Sequence, residues 1–354
     1  MMGTKNCLLG MELGVSRSFE NMTVFPLCFS GNGGPEYVTL REALERGVFV
    51  VAEVSAGGSV PELMVENKGN VAVLILDGEE LAGAKQNRIL NTTVLIAPKS
   101  TTKIPVSCTE HGRWSYVSDV FFESGNHMAP ALRELNMRGV NASLRTGRQF
   151  RSDQGAVWDA IACESAAAGV SSETGAMRDV FEAKKKVLDD YLKSFKLEAG
   201  QKGALIFIGG EVAGLDFVSR EQAFAVLHSK LIRSYAMEAM LVGERVGAAK
   251  GKKKGEEKGA AGKPARKGVK ARGPKPGVAA AREFLGRAAE CGETRYESVG
   301  LGASLRYEGR GVIGSALAVD DRVIHMAFFK TAGNEAGKAE HMAPASTRRR
   351  FRTL

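Results

Sequence analysis

Paired cysteines, membrane-length apolar runs and nucleotide-fold signatures are what this chain lacks. Its five cysteines, Cys7, Cys28, Cys108, Cys163 and Cys291, are scattered, odd in number and never spaced CxxC. That argues against a disulfide framework and sets a reduced cytoplasmic compartment as the expectation. No apolar run reaches the roughly 20 residues that a spanning helix needs, so no membrane partner is expected. The N-terminal MMGTKNCLLGMELG lacks a long apolar core and a clear cleavage site, and reads as mature protein. Gly209-Gly210-Glu211 follows an apolar run but lacks the full GxGxxG pattern and its downstream acid, so a dinucleotide-binding domain is not supported.

What remains is a 354-residue chain, 44% hydrophobic and 25% charged, ordinary for a soluble globular protein. Its formal charge of +9 is concentrated in one place. Residues 245–277 hold twelve Lys/Arg against two Glu, a net +10, which leaves −1 for everything else. The basic character therefore belongs to a Gly/Pro/Lys-rich segment too poor in apolar groups to offset the entropy of ordering. We expect a disordered basic insert at 245–277 and a loose tail over 330–354. Flexible Lys/Arg runs attract polyanions without reading sequence, so weak nonspecific nucleic-acid contact is the partner that the insert suggests.

Period and punctuation predict an α+β fold: a β-rich N-terminal sandwich or barrel-like unit packed with a mixed helix/strand C-terminal part. The β-rich stretch is 20–120, with strands expected at 22–29, 48–54, 60–66, 71–76, 92–97 and 102–107 and a short helix at 38–46. Mixed α/β texture follows over 128–241, with helices expected at 128–137, 154–168, 175–196 and 220–241, a strand at 203–209 and a brief one at 217–218. A helix at 279–289 leads to strands at 294–307, 311–320 and 322–328. These returning strands predict a single domain over 10–328, interrupted by the insert.

The segment from Val71 to Trp114, VAVLILDGEELAGAKQNRILNTTVLIAPKSTTKIPVSCTEHGRW, carries the densest chemistry. Asp77, Gly78, Glu79 and Glu80 follow one apolar run; Lys85, Gln86, Asn87 and Arg88 precede the next. Residues 81–84 are too short for a helix and are expected to make a tight excursion. Glu79 or Glu80 suits a general base. Gln86, Asn87 and Arg88 offer amide and guanidinium donors to a sugar, carboxylate or phosphate. The competing reading is a hairpin whose carboxylates pair with Lys85 and Arg88. A second cluster runs from Ser107 to Trp114. Cys108 and His111 lie three apart with no third or fourth ligand at convincing spacing, so no metal site is assigned. Glu110 and Arg113 suit polar-ligand positioning, and Trp114 a stacking wall. Arg145, Arg148, Gln149, Gln154, Trp158 and Asp159 could border the same pocket. His127, His228 and His325 occur singly and read as structural.

DGEELAGAKQNRILNTTVLIAPKS followed by IPVSCTEHGRW resembles the ARG and rhodanese-phosphatase-superfamily-associated protein domain family, over roughly 10–240 and again over 280–328. The resemblance implies a link to NAD or ADP-ribose metabolism and a nucleotide-like small-molecule partner; it names no cofactor. The expected function is therefore binding of a polar small molecule, with Asp77, Gln86, Asn87, Glu110, Arg113 and Trp114 as ligand contacts. The alternative is a hydrolase of an ADP-ribose or nucleotide derivative, with Glu79, Glu80 and Arg88 catalytic. A further alternative is a non-catalytic partner protein that docks a polyanion on its basic loop. The first two require the acids after Leu76 and the Glu110–Arg113 pair to line one depression.

Overall fold

The computed structural model describes residues 3–31, 34–55, 57, 59–255 and 275–331, with the backbone alone over 245–255. The chain begins with α1 (Thr4–Leu9), β1 (Glu12–Leu13), β2 (Arg17–Phe19), β3 (Met22–Cys28) and β4 (Tyr37–Thr39), then α2 (Leu40–Glu45). Strands dominate next: β5 (Phe49–Glu53), β6 (Glu62–Asn67), β7 (Ala72–Ile75), β8 (Glu79–Gly83), β9 (Arg88–Leu90), β10 (Val94–Ile96), β11 (Ser100–Cys108) and β12 (Phe121–His127). Helices α3 (Pro130–Arg145), α4 (Gln154–Ala167) and α5 (Met177–Ser194) follow, then β13 (Gln201–Ile208), β14 (Glu211–Val218) and α6 (Glu221–Gly255). Last come α7 (Val278–Ala289), β15 (Gly292–Glu297), β16 (Ala303–Gly309), β17 (Val312–Val319) and β18 (Arg322–Lys330).

The fold is α+β, with a curled half-barrel region and a mixed helix/strand region. A nine-stranded antiparallel sheet runs β1-β3-β13-β14-β18-β17-β16-β15, with β2 on β3. Both faces are covered, which is why β13 reads as an unbroken apolar run. Ala204, Ile206 and Ile208 pack into the core that contains α3 to α6, whereas Leu205 and Phe207 pack into the core under α1 and α7. The second sheet runs β12-β8-β9-β11-β6-β5 and curls until its two edge strands lie against each other. A three-stranded sheet, β10-β7-β4, shares its interior with α2, around Leu40, Val51, Val65, Val73, Ile75, Val94 and Ile104. A capping box starts α2: the Thr39 side chain accepts from the Glu42 N–H while the Glu42 carboxylate accepts from the Thr39 N–H.

Several elements differ from the sequence reading. Strand β3 leaves the β-rich half and pairs with β13, a long-range choice that local periodicity cannot encode. Residues 79–83 form a strand rather than an excursion, and the turn follows it, with Ala84 at φ 41°. The run 294–307 splits into β15 and β16. Between them Gly302 has φ +86°, and a Cβ there would meet the Ala318 carbonyl oxygen at 2.2 Å. The brief strand at 217–218 is the end of the eight-residue β14. Helix α6 continues to Gly255, into the segment read as insert. Residues 256–274 and the tail from 332 lie outside the described residues.

Candidate functional site

The candidate residues divide into five hydrogen-bonded groups. The first centres on Arg133 in the first turn of α3, which is fully buried. It forks onto Asp216 of β14 (Nη1–Oδ2 2.9 Å, Nη2–Oδ1 2.8 Å), and Nη2 also reaches both oxygens of Asp77 at 3.3 Å. Tyr235 of α6 donates to Asp216 at 2.8 Å, and Thr93 donates to Asp77 at 3.0 Å. His325 Nδ1 lies 2.9 Å from the Thr93 hydroxyl. Gly78 at φ +80° turns the chain between β7 and β8, and a Cβ there would meet Arg133 Cγ at 3.0 Å. Burial pushes the Asp77 and Asp216 pKa values up, but the Arg133 guanidinium more than offsets it and holds both below the ordinary carboxylate range. Buried His127, beside this cluster, is held neutral by desolvation and by Arg133, its pKa pulled down to about 3.

Adjacent residues of a strand project to opposite faces, and Glu79 and Glu80 part accordingly. Glu79 is ion-paired with the fully buried Lys230 of α6 and accepts from the Leu76 N–H at 3.0 Å. Lys230 also contacts Glu123 at 2.7 Å, and Glu123 in turn binds Arg41 at 3.1 Å. Glu80 meets neutral donors: Thr109 Oγ1 at 3.1 Å and Asn126 Nδ2 at 3.2 Å. Burial raises its pKa above the ordinary range, and bonds from Ser124, Asn126 and Thr109 only partly restrain the rise.

Glu110 and Arg113 form a clamp with Asn87. Arg113 Nη2 donates to Glu110 Oε2 at 2.6 Å and to Asn87 Oδ1 at 3.2 Å. Its Nη1 ties down the carbonyls of Ala84 (2.6 Å) and Ser115 (2.9 Å). Glu110 also accepts from the Thr174 hydroxyl at 2.8 Å and from the Asn87 N–H at 3.2 Å. Burial raises its pKa, and Arg113, Thr174 and Asn87 outweigh that and hold it below the usual range. Nearby, burial pushes the Cys108 thiol up, against a smaller pull from Arg88, which keeps it a poor nucleophile. Gln154 clips the Cys108 backbone on both sides, at 2.7 and 2.9 Å, and His111 packs on Trp158 at 4.3 Å between ring centroids.

The last group has the opposite bonding character. Arg88, buried on β9, spends Nη1 on the Gln86 carbonyl and on Gln86 Oε1, both at 3.2 Å. Among the described residues its Nε and Nη2 bond nothing. Facing it, at the end of β5, Glu53 lies 3.7 Å from Nη2, and neither carboxylate oxygen has a hydrogen-bond partner among the described residues. Trp114, half exposed, covers the guanidinium at 5.8 Å from its ring centroid. Lys85 lies over Trp114 at 5.4 Å and over Tyr116 at 5.0 Å, and holds the Gly57 carbonyl at 2.8 Å.

Of the sequence candidates, Gln86, Arg88 and Trp114 come together, as do Asn87, Glu110 and Arg113. Asp77, Glu79 and Glu80 each sit in a separate group. Glu53, Glu123, Arg133, Asp216 and Lys230 were missed. The signal for two of them was a single charge inside an apolar run: Asp216 in GLDFV and Lys230 in AVLHSKLI. Among the described residues no group of three or more His, Cys, Asp or Glu is placed to hold a metal ion, and no helix is long and apolar enough to cross a membrane.

Comparison with family profiles matches residues 10–329 to the ARG and Rhodanese-Phosphatase-superfamily-associated Protein domain. Neither the comparison with curated proteins nor that with solved structures returns a match.

Proposed function

The chain belongs to the ARG and Rhodanese-Phosphatase-superfamily-associated Protein domain family, and on that premise we propose that it binds a polar small molecule between Arg88 and Glu53, beneath Trp114. One observation carries this reading: a guanidinium and a carboxylate, both buried, leave four polar atoms unbonded at a separation of 3.7 Å. Unpaired buried polar groups are costly, about 1–3 kcal/mol each and more when charged. A ligand presenting an acceptor to Arg88 and a hydroxyl or amine to Glu53 removes that cost. The Trp114 ring supplies a stacking face and is exposed enough to swing aside. A ribosyl group attached to a purine has all three features, which favours a nucleotide or ADP-ribose-like ligand and a role in NAD-derived metabolism.

The test is a calorimetric titration of the full chain with NAD, ADP-ribose, AMP and ribose 5-phosphate. We expect saturable binding of at least one, weakened about tenfold or more by Arg88→Met, the affinity ratio equivalent to about 1.4 kcal/mol. Equal binding by wild type and Arg88→Met, or no binding across the panel, would refute the reading.

A hydrolytic reading is favoured by one observation, the raised pKa of Glu80. In that reading Glu80, not the Lys230-bound Glu79, is the carboxyl that holds or moves a proton. Turnover of ADP-ribose lost in Glu80→Gln with ligand affinity kept would support it; no turnover of the bound ligand by wild type would end it.

A further inference from the structure

Arg306 on β16 is another buried guanidinium left short of partners. It is 4% exposed, and its one hydrogen bond is from Nη2 to the neutral Thr92 hydroxyl at 2.6 Å. Its Nε is buried and bonds nothing, and it takes part in no ion pair among the described residues. Asp77 acts on it at a distance but is already occupied by Arg133 and Thr93. Burial pulls its pKa down only to about 10, so the group stays cationic at neutral pH.

Over Arg306 lies Phe150, in the loop of residues 146–151. Phe150 lays its ring 5.4 Å from the guanidinium carbon. Asn91 holds the Phe150 carbonyl at 3.1 Å and is itself braced by Ser107 at 2.8 Å. The loop bends through two left-handed residues, Gly147 (φ 72°) and Gln149 (φ 59°), the second a conformation that L side chains rarely take. Arg148 and Arg151, on either side of Phe150 in the chain, are exposed. Neither enters an ion pair among the described residues, whereas Arg145 is engaged by Glu308 at 2.8 Å. An uncompensated cation thus lies beneath an aromatic cover whose flanks are also cationic.

We propose that Arg306, covered by Phe150 and flanked by Arg148 and Arg151, forms a second binding site, for a small oxyanion carrying a phosphate or carboxylate group. Arg306 binds the oxyanion through its Nε–H and a neighbouring Nη–H in the guanidinium plane, the fork geometry that suits planar or tetrahedral oxygen acceptors. Arg148 and Arg151 draw the anion to the mouth, and Phe150 moves off the guanidinium to admit it. The site is independent of the Arg88–Glu53 pair and stands whether or not that pair binds a ligand.

The experiment is isothermal titration of the full chain with inorganic phosphate, and separately with acetate, against sodium chloride at matched ionic strength. Saturable binding is expected for at least one oxyanion, weakened about tenfold or more in Arg306→Met and kept in Arg88→Met. A phosphate response alone identifies a phosphoryl ligand, an acetate response alone a carboxylate. If Arg306→Met does not fold, the surface variant Arg148→Ala/Arg151→Ala decides, with affinity expected to fall several-fold at an unchanged thermal midpoint. Absence of saturable binding of either anion overturns the proposal. So does binding unchanged in whichever variant is folded; Arg306 is then a counter-ion to Asp77 and nothing more.

Discussion

Arg133 and Arg88 are both fully buried, both face carboxylates, and differ in almost everything else. Arg133 forks onto Asp216 at 2.8 and 2.9 Å and reaches both oxygens of Asp77 at 3.3 Å, and Tyr235 and Thr93 complete the carboxylates' coordination. Arg88 meets Glu53 at 3.7 Å with two of its three nitrogens and both acceptors idle among the described residues. Burial of charge therefore does not by itself mark a site. A cluster whose carboxylate oxygens are all bonded is a joint: Asp77 lies after β7, Arg133 in α3, Asp216 in β14 and His325 in β18, so this one fastens the half-barrel to the large sheet. A pair whose carboxylate oxygens are idle is, on our proposal, a place for a ligand.

That contrast can be broken by mutation. The largest effect is expected at the joint. Arg133→Met strands two buried carboxylates and should lower stability by about 3–5 kcal/mol, measured as the urea midpoint; a loss under about 1 kcal/mol would remove the joint from the account. Next is the clamp. Arg113→Ala leaves Glu110 partly buried beside three freed carbonyls, those of Gly83, Ala84 and Ser115, with an expected loss of about 1–3 kcal/mol. Replacing both members of the idle pair, Arg88→Met with Glu53→Leu, should instead be neutral or stabilising, while ligand binding disappears. A double variant as damaging as Arg133→Met would mean that the two regions are alike.

Acid sharpens the same comparison. His127 and His228 have folded pKa values depressed by burial to about 3 and about 4, against about 6.5 in the unfolded chain. Between those limits the unfolded state binds more protons, so their contribution is intact above about pH 6.5 and is lost as pH falls through the window. Asp77 and Asp216 add a further loss below the unfolded carboxylate value near 4, because Arg133 keeps them ionised in the fold. Urea midpoints at pH 7.5, 5.5 and 3.5 should fall in that order. The smallest effect is at Glu80, whose folded pKa is raised. Its contribution is present below the unfolded pKa and lost as pH rises through the higher folded one. Glu80→Gln should therefore gain on the wild type as pH rises through that interval.

The strands and helices were largely legible, because periods of two and 3.6 and the turn residues are local. The α+β class followed from them. Pairing across the chain was not legible: nothing in MTVFPLC says that β3 joins β13 rather than β5. The site was legible as a segment and not as a geometry. Glu79 and Glu80 look like one dyad in a string of letters, but the strand pleat sends the first to Lys230 and the second to Thr109. Glu53 was invisible because its importance lies in what it fails to bond, and only coordinates report that. Asp216 and Lys230 did leave a trace, a lone charge within an apolar run, and that signal deserves more weight than a dense polar cluster; Arg133, with Glu134 beside it, left none.

Trp114 and Trp158 are the two tryptophans, so a Trp158→Phe chain reports on the cover of the Arg88–Glu53 pair alone. Its fluorescence, titrated with ADP-ribose, should change saturably and lose that response when Arg88→Met is added. A flat titration, or one that Arg88→Met leaves intact, would contradict the account.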